Sequence, residues 1–407
     1  MIASATAGAG QRRLQLENVV IVSAARTAFG TFGGSLKTVP PVQLTTLIIG
    51  EVLKRAGLEP DKIDAAVFGH VIPRTDENNL VARCGGLAAG LPHEVPCHTV
   101  IRGCGSGIES IIAGARQIML GEDEVVITGG VENMSMAPYL AKDARFGLRM
   151  RDSALVDSCW EVLKDPITGL MMGQTAENIA KRHGITREDQ DKHALGSNQK
   201  ALKAIAEGKL KQQIVPVEVK SRKGTVVFDT DEHPKDTTLE ALGKLPAAFV
   251  KEDGTVTAGN ASGINDGAAA LIIMSEKRAQ DEGIKPLGRI VSYAVAGVDP
   301  AYMGYGPVPS SRKALERAGM AVSDIDVWEI NEAFSAQYLY CERELGVDPE
   351  RANLWGGAVA YGHPVGATGG RLIATILEIL AEQDATTGCA TLCIGGGQGV
   401  AMIVERL

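Results

Sequence analysis

Hydrophobic and polar positions along the chain alternate between two periods. Val19 to Ser23 is a short β-branched run, Leu44 to Ala56 carries apolar residues at helical spacing and stops at Gly57, and Ala65 to Phe68 is strand-like again. Strands and helices that alternate in this way are the grammar of an α/β protein. The pattern then recurs. EVLKRAGLEPDKIDAAVF at 51–68 is echoed by KALERAGMAVSDIDVWEI at 313–330, so that Arg55 matches Arg317 and Asp64 matches Asp326 at one offset of 262 residues. The same offset carries CGSG at 104–107 onto GATG at 366–369. Each is followed by an apolar-striped helix, Ile108 to Met119 and Leu372 to Leu380, and then by a strand that runs into glycines, VVITGG and TLCIGGG. One offset kept across three features predicts two duplicated α/β halves that face each other in stacked layers.

Residues 18–133 with about 265–286 make the first half on this reading, and 287–407 make the second. Between them, 134–264 changes texture: it is rich in Met, Arg, Lys and Pro, with one helical stretch from Thr175 to Glu207 and charged turns such as SRKG and DEHPKD. An insertion of this length is too long for a plain loop and is expected to fold as a cap over the site.

Composition narrows the function classes. A chain of 407 residues has room for two or three domains and a buried site. Its 48 glycines exceed the usual share of about 7%, as expected where backbones approach a ligand or each other closely. A net charge of −8 argues against a broad nucleic-acid surface. No run approaches 18 uninterrupted apolar residues, so no membrane span is expected. Seven cysteines without a repeated short spacing fit neither a disulfide framework nor a structural zinc site, and point to a reducing, cytoplasmic setting. The opening MIASATAGAGQRRLQL reads as an extension ahead of the fold, with an organellar transit segment as the alternative.

Cys104 stands in RGCGSG just ahead of a predicted helix, where unpaired N–H groups and the positive dipole end favour a thiolate. The alternative is a buried structural cysteine. His363, in AYGHPVGATGG, holds nearly the equivalent place in the second half, so the duplication brings a nucleophile and a base towards a common centre. The plain alternative is an ordinary hydrogen-bonded histidine. Cys393 ends a predicted strand, where a small buried filler is also expected; the Gly395-Gly396-Gly397 that follows offers N–H donors to an oxyanion. That run lacks the GxGxxG spacing and does not open the first βαβ unit, which argues against a dinucleotide site. Asn331, after the strand VWEI, either serves a site or caps a helix.

Taken in order, RTAFGTFGGSLK, CGSG, MGQTAEN, TAGNASGINDGAAA, GVDPAYMGYGP, NEAF, GHPVGATG and CIGGGQGVA resemble the thiolase family from about residue 18 onwards. The likeness is to acetyl-CoA acetyltransferases and their broader-chain 3-ketoacyl-CoA relatives; Gln398 stands where acetoacetyl-specific members usually carry methionine. The resemblance implies a thiolase-like α/β fold with an inserted loop domain. It implies Cys104 as acyl carrier, His363 as its base, Cys393 as the acid/base at the α-carbon, and Asn331 holding an oxyanion water. Backbone N–H groups of Cys104 and Gly395 would form the other oxyanion site. Coenzyme A contacts would come from Met172, Lys235, Ala258, Ser262, Met303 and Phe334. Acetyl-CoA, coenzyme A and 3-ketoacyl-CoA are then substrates, with no metal or redox cofactor, in a homodimer or homotetramer. Ile101 departs from a usual asparagine, Gly103 from a bulky apolar residue, and Met171 from a histidine of the short-chain members. A decarboxylating ketoacyl synthase, whose site uses two histidines, and a non-catalytic acyl-CoA binder on the same fold are the alternatives.

Overall fold

The computed structural model describes residues 17–74, 79–150, 152–221 and 224–407. The opening segment read as an extension, and the centre of SRKG, lie outside them. The first half contains β1 (Val19–Thr27), α1 (Pro41–Ala56), β2 (Ala65–Gly69), β3 (Cys97–Val100), α2 (Ser106–Met119), β4 (Val125–Asn133) and β5 (Asn265–Ser275). The insertion contributes α3 (Met172–His183) and α4 (Arg187–Ala206). The second half contains β6 (Gly288–Gly297), α5 (Pro307–Ala318), β7 (Val327–Ile330), α6 (Ser335–Leu345), α7 (Thr368–Glu382), β8 (Thr387–Ile394) and β9 (Gln398–Arg406).

These strands join in the order β7-β8-β9-β6-β1-β5-β4-β2-β3. Read outward from the centre, the halves match. β1/β5 and β5/β4 are antiparallel and β4/β2 parallel, just as β6/β9 and β9/β8 are antiparallel and β8/β7 parallel. Within the sheet a short antiparallel seam, Val20 with Arg289 and Ile21 with Gly288, joins them. Local chemistry repeats with the topology: α1 and α5 both stop at a glycine in the left-handed region, Gly57 at φ 65° and Gly319 at φ 66°.

Helices α2 and α7 begin at Ser106 and Thr368, which keep the offset of 262; most of α7 is buried and it packs on strands of both halves, while α2 buries one face. They meet backbone to backbone at their N-termini. A Cβ on Gly369 would lie 2.3 Å from the Ile108 nitrogen, and one on the equivalent Gly107 would lie 2.9 Å from the Gly366 oxygen. Glycine is needed here for close approach, and part of the glycine excess is explained by it. We expect Gly369→Ala to cost about 1–3 kcal/mol in urea unfolding, because the backbone it meets cannot swing aside. Gly196→Ala, in open space on α4, is the control and should be neutral or slightly stabilising.

The insertion differs from the single helical stretch expected at Thr175–Glu207. It is broken at Gly184, left-handed at φ 62°, and restarts where the Thr186 side chain accepts from the Asp189 N–H in a capping box. α3 and α4 pack against α6 and the short helix Ala358–Tyr361 of the second half. Among the described residues no helix is long and apolar enough to cross a membrane.

Candidate active site

The geometry begins where α2 and α7 converge. Cys104 lies two residues ahead of α2 on a turn whose Gly103 takes φ 48°, a left-handed value that accounts for glycine at this position. The turn rests on the second half: Cβ atoms at Gly103 and Gly105 would fall 3.3 Å and 2.5 Å from Ile394. Arg102 adds a polar link, donating from Nε to Glu109 at 2.8 Å and from Nη1 to Gln398 at 3.1 Å. In this way Ile394 and Gln398 fix the Cys104 turn against the glycine hairpin that follows Cys393.

Cys104 opens onto a cavity of about 300 Å³ lined also by Ile101, Gly103, Met172, Val365 and Gly395. The exposed Ile101 side chain stands at its wall. Burial pushes the Cys104 thiol up to about 11, although the backbone N–H groups of Gly395 and Cys104 itself pull it down. This corrects the expected thiolate. The sulfur stands ahead of the helix, in a crowded pocket, and loss of hydration outweighs the two backbone N–H groups, so the resting group is a thiol that needs a base.

His363 is 5% exposed and held at three points. Its N–H donates to Asn265 Oδ1 at 3.1 Å. Its Nδ1 lies 2.7 Å from Thr368 Oγ1, whose own proton goes to the Pro364 carbonyl at 2.9 Å. The hydroxyl therefore accepts from Nδ1–H, which leaves Nε2 as a lone pair, 3.4 Å from Asn331 Nδ2. Burial, and secondarily the Arg371 charge, push the imidazole down to about 3, so it is neutral at physiological pH. A neutral imidazole with a free Nε2 is the base that a thiol requires.

A second cavity of about 210 Å³ adjoins the first, since Met172 and Val365 line both. Its walls include His363, Met171, Ala258, Ser262, Phe334 and Trp160. Cys393 is fully buried behind them, packed in one cluster with Met172, Phe334 and Met303, and its thiol is pushed well above the ordinary range by burial and then by the neighbouring Cys104. Asn331 is also fully buried; its N–H donates to the Thr391 carbonyl at 2.9 Å, while Oδ1 has no protein partner. An orphaned buried oxygen beside a histidine is a place for an ordered water.

Of the residues expected at the coenzyme A cleft, Met172, Ala258, Ser262 and Phe334 line the second cavity. Met303 and Lys235 do not. Met303 sits beneath it in the Cys393 cluster, and Lys235 is exposed outside it, with its N–H donating to Asn198. Sequence reasoning missed Thr368 and Asn265, which orient His363, and the buried Glu332, Glu329 and Arg371. Thr368 carried a signal: it is Ser106 moved by the offset, and both hydroxyls bond back onto the turn ahead of their helix.

Two family models cover nearly all of the described chain. Residues 19–277 match the thiolase N-terminal domain and 284–406 the thiolase C-terminal domain. The acetyl-CoA acetyltransferase of Syntrophomonas wolfei is 48% identical over 394 residues, covering 96% of this chain and 99% of the relative. Beta-ketothiolase BktB of Cupriavidus necator is 50% identical, covering 96% and 99%. The crystal structure of the Bacillus anthracis acetyl-CoA acetyltransferase superposes with a TM-score of 0.95 at 50% identity, covering 97% of this chain and all of that one. Two matched domains that meet at the Cys104–His363 centre, and relatives about half identical along nearly their full length, establish that the chain belongs to the thiolase family.

Proposed function

We infer that the chain is an acetyl-CoA C-acyltransferase that makes or cleaves 3-ketoacyl-CoA through an acyl group carried on Cys104. The observation that carries this reading is the convergence, from both halves, of a half-buried thiol, a neutral imidazole with an unprotonated Nε2, a second, fully buried thiol and the Gly395 N–H around two adjoining cavities.

In the thiolytic direction His363 Nε2 takes the Cys104 proton and the sulfur attacks the 3-keto carbon. N–H groups of Cys104 and Gly395 hold the oxyanion, and a missing donor of this kind costs about 10²–10³ in rate. The C2–C3 bond then breaks, and the enolate of acetyl-CoA, held by the Asn331 water and His363, takes its proton from Cys393. Coenzyme A next gives its thiol proton to the Cys393 thiolate and attacks acyl-Cys104, and the departing Cys104 sulfur recovers its proton from His363. A protonated Cys393 suits this direction, because it enters the cycle as an acid. Condensation is the reverse.

Met172, Ala258, Ser262 and Phe334 would flank the pantetheine arm, and the exposed Lys235 would meet the nucleotide phosphates, with the insertion 134–264 supplying this side of the cleft. Coenzyme A thioesters are substrates, and no resident cofactor is invoked. The proposal extends to a homodimer or homotetramer in the cytoplasm, engaged in fatty-acid β-oxidation chemistry; the free state of all seven cysteines suits a reducing compartment.

Cleavage of acetoacetyl-CoA on addition of coenzyme A tests the reading, and a protein that binds the thioester without turnover would be a carrier instead. Met171, an adaptable thioether on the cavity wall where short-chain members place a histidine, leads us to expect acceptance of a longer chain. Thiolysis of 3-ketovaleryl-CoA should fall within about tenfold of acetoacetyl-CoA, whereas a pocket closely fitted to the shorter chain would discriminate by about 10-fold to 200-fold for one methylene. Brisk acetoacetyl-CoA turnover with no detectable C5 cleavage would refute it.

A further inference from the structure

We propose that Glu332 is a positioning residue for the carbon–carbon step: its buried carboxylate sets Asn331 against His363 by binding the insertion, the β7 strand and the short helix ahead of His363 to one point. The proposal rests on the thiolase reading above and deepens it.

Glu332 directly follows Asn331 and is 1% exposed. Its oxygens collect donors from three separate parts of the chain. Ser197 Oγ, on α4 of the insertion, donates at 2.7 Å. Asn353 Nδ2 donates at 2.8 Å, and the same amide side chain bonds both the N–H and the carbonyl of Ile330, the last residue of β7. The N–H of Val359, four residues ahead of His363, donates at 3.0 Å. His193 Nε2, also on α4, lies 3.3 Å away. Gly357 passes so close that a Cβ there would fall 2.2 Å from the carboxyl carbon, and its N–H donates to Ser197. Burial alone would push the Glu332 carboxyl up, but His193 and the hydrogen bonds from Asn353 and Ser197 hold it down at about 2, so it is an anion throughout the working range.

The two catalytic side chains differ in how firmly they are held without this anion. His363 has its own anchors, Asn265 on the backbone and Thr368 on Nδ1. Among the described residues the Asn331 side chain has only its 3.4 Å contact with His363, and none meets its Oδ1. Disturbing Glu332 therefore moves Asn331 and spares the histidine. Acyl transfer to Cys104, which uses His363 and the Cys104 and Gly395 N–H groups, should survive. The enolate step, which uses Asn331, should not.

The test uses the full-length enzyme with two substitutions, Glu332→Gln and Ser197→Ala. For each, the rate of acetyl adduct formation on Cys104 is read by quenched intact-protein mass spectrometry, and kcat and KM for acetoacetyl-CoA thiolysis are measured together with the melting temperature. For Glu332→Gln we expect adduct formation within about threefold of wild type, an unchanged KM, and kcat lower by about 10²-fold, the usual consequence of misplacing one catalytic group by about 1 Å. Ser197→Ala removes one donor and no charge, so the same split should appear at about fivefold; it decides the matter if Glu332→Gln does not fold. Equal losses in both half-reactions, or no selective loss of thiolysis, would overturn the positioning role. A wild-type enzyme that forms neither adduct nor product would instead overturn the thiolase reading.

Discussion

Cys104→Ala will take up no acetyl group from acetyl-CoA and will lose every later step, whereas Cys393→Ala will still become acetylated. The two thiols are chemically alike at rest, since burial keeps both protonated. Their surroundings separate them. Cys104 opens onto a cavity and faces the Gly395 N–H, so a sulfur there can attack a carbonyl whose oxygen already has donors. Cys393 is fully enclosed at the end of β8, within the apolar cluster that includes Met172 and Phe334, where it can pass a proton to a carbon but cannot easily carry a group. In the proposed cycle His363 would still activate Cys104 when Cys393 is gone, and the departing coenzyme A thiolate, which Cys393 would otherwise protonate, can take its proton from water. Thiolysis by Cys393→Ala should therefore fall about 10²–10⁴-fold, the range for a lost general acid, with the adduct intact by mass spectrometry. An adduct that persists on Cys104→Ala and vanishes from Cys393→Ala would reverse the two assignments.

Arg371→Met is expected to destabilise the enzyme by about 3–5 kcal/mol at pH 8, and the double variant Glu329→Leu with Arg371→Met to recover most of that loss. Arg371, in the first turn of α7, donates to Glu329 on β7 at 2.7 Å, and both side chains are buried. The pair is incompletely satisfied: Nε and Nη2 of Arg371 and Oε1 of Glu329 have no partner. Removing the cation strands a buried carboxylate, while removing both charges leaves an apolar contact. Burial raises Glu329 to about 7 despite Arg371, against an ordinary carboxylate value of 4.5. The folded chain thus keeps a proton that the unfolded chain releases, and stability falls as pH rises from about 4.5 to 7. Without Arg371 the folded value moves higher and the decline continues past 7, so the deficit of the single variant should widen with pH in urea titrations. A deficit that narrows above pH 7, or a double variant no better than the single one, would contradict this account.

Much of the architecture was legible because duplication leaves its period in the chain. The shared offset paired α2 with α7, the glycine stops of α1 and α5, and the strands β2 and β7, since each is set by local capping, turn and apolar patterning that needs no distant partner; the two helices begin at Ser106 and Thr368, ahead of the expected Ile108 and Leu372. The break at Gly184 was legible too, in the glycine and the Thr186–Asp189 box, but helical periodicity on both sides masked it.

By itself the sequence determined two similar α/β halves, an insertion between them, and a cysteine and a histidine placed ahead of equivalent helices. The tertiary structure alone decided the protonation and support of those groups. Whether Cys104 is a thiol or a thiolate depends on how much water the surrounding walls remove, and the backbone N–H groups of Gly395 and Cys104 are the smaller effect. Which nitrogen of His363 is free depends on Thr368 and Pro364. Glu332 and Arg371 became conspicuous only once folding had taken them out of water, because a charge costs free energy by virtue of its burial and its partners, and both come from residues far apart in the chain.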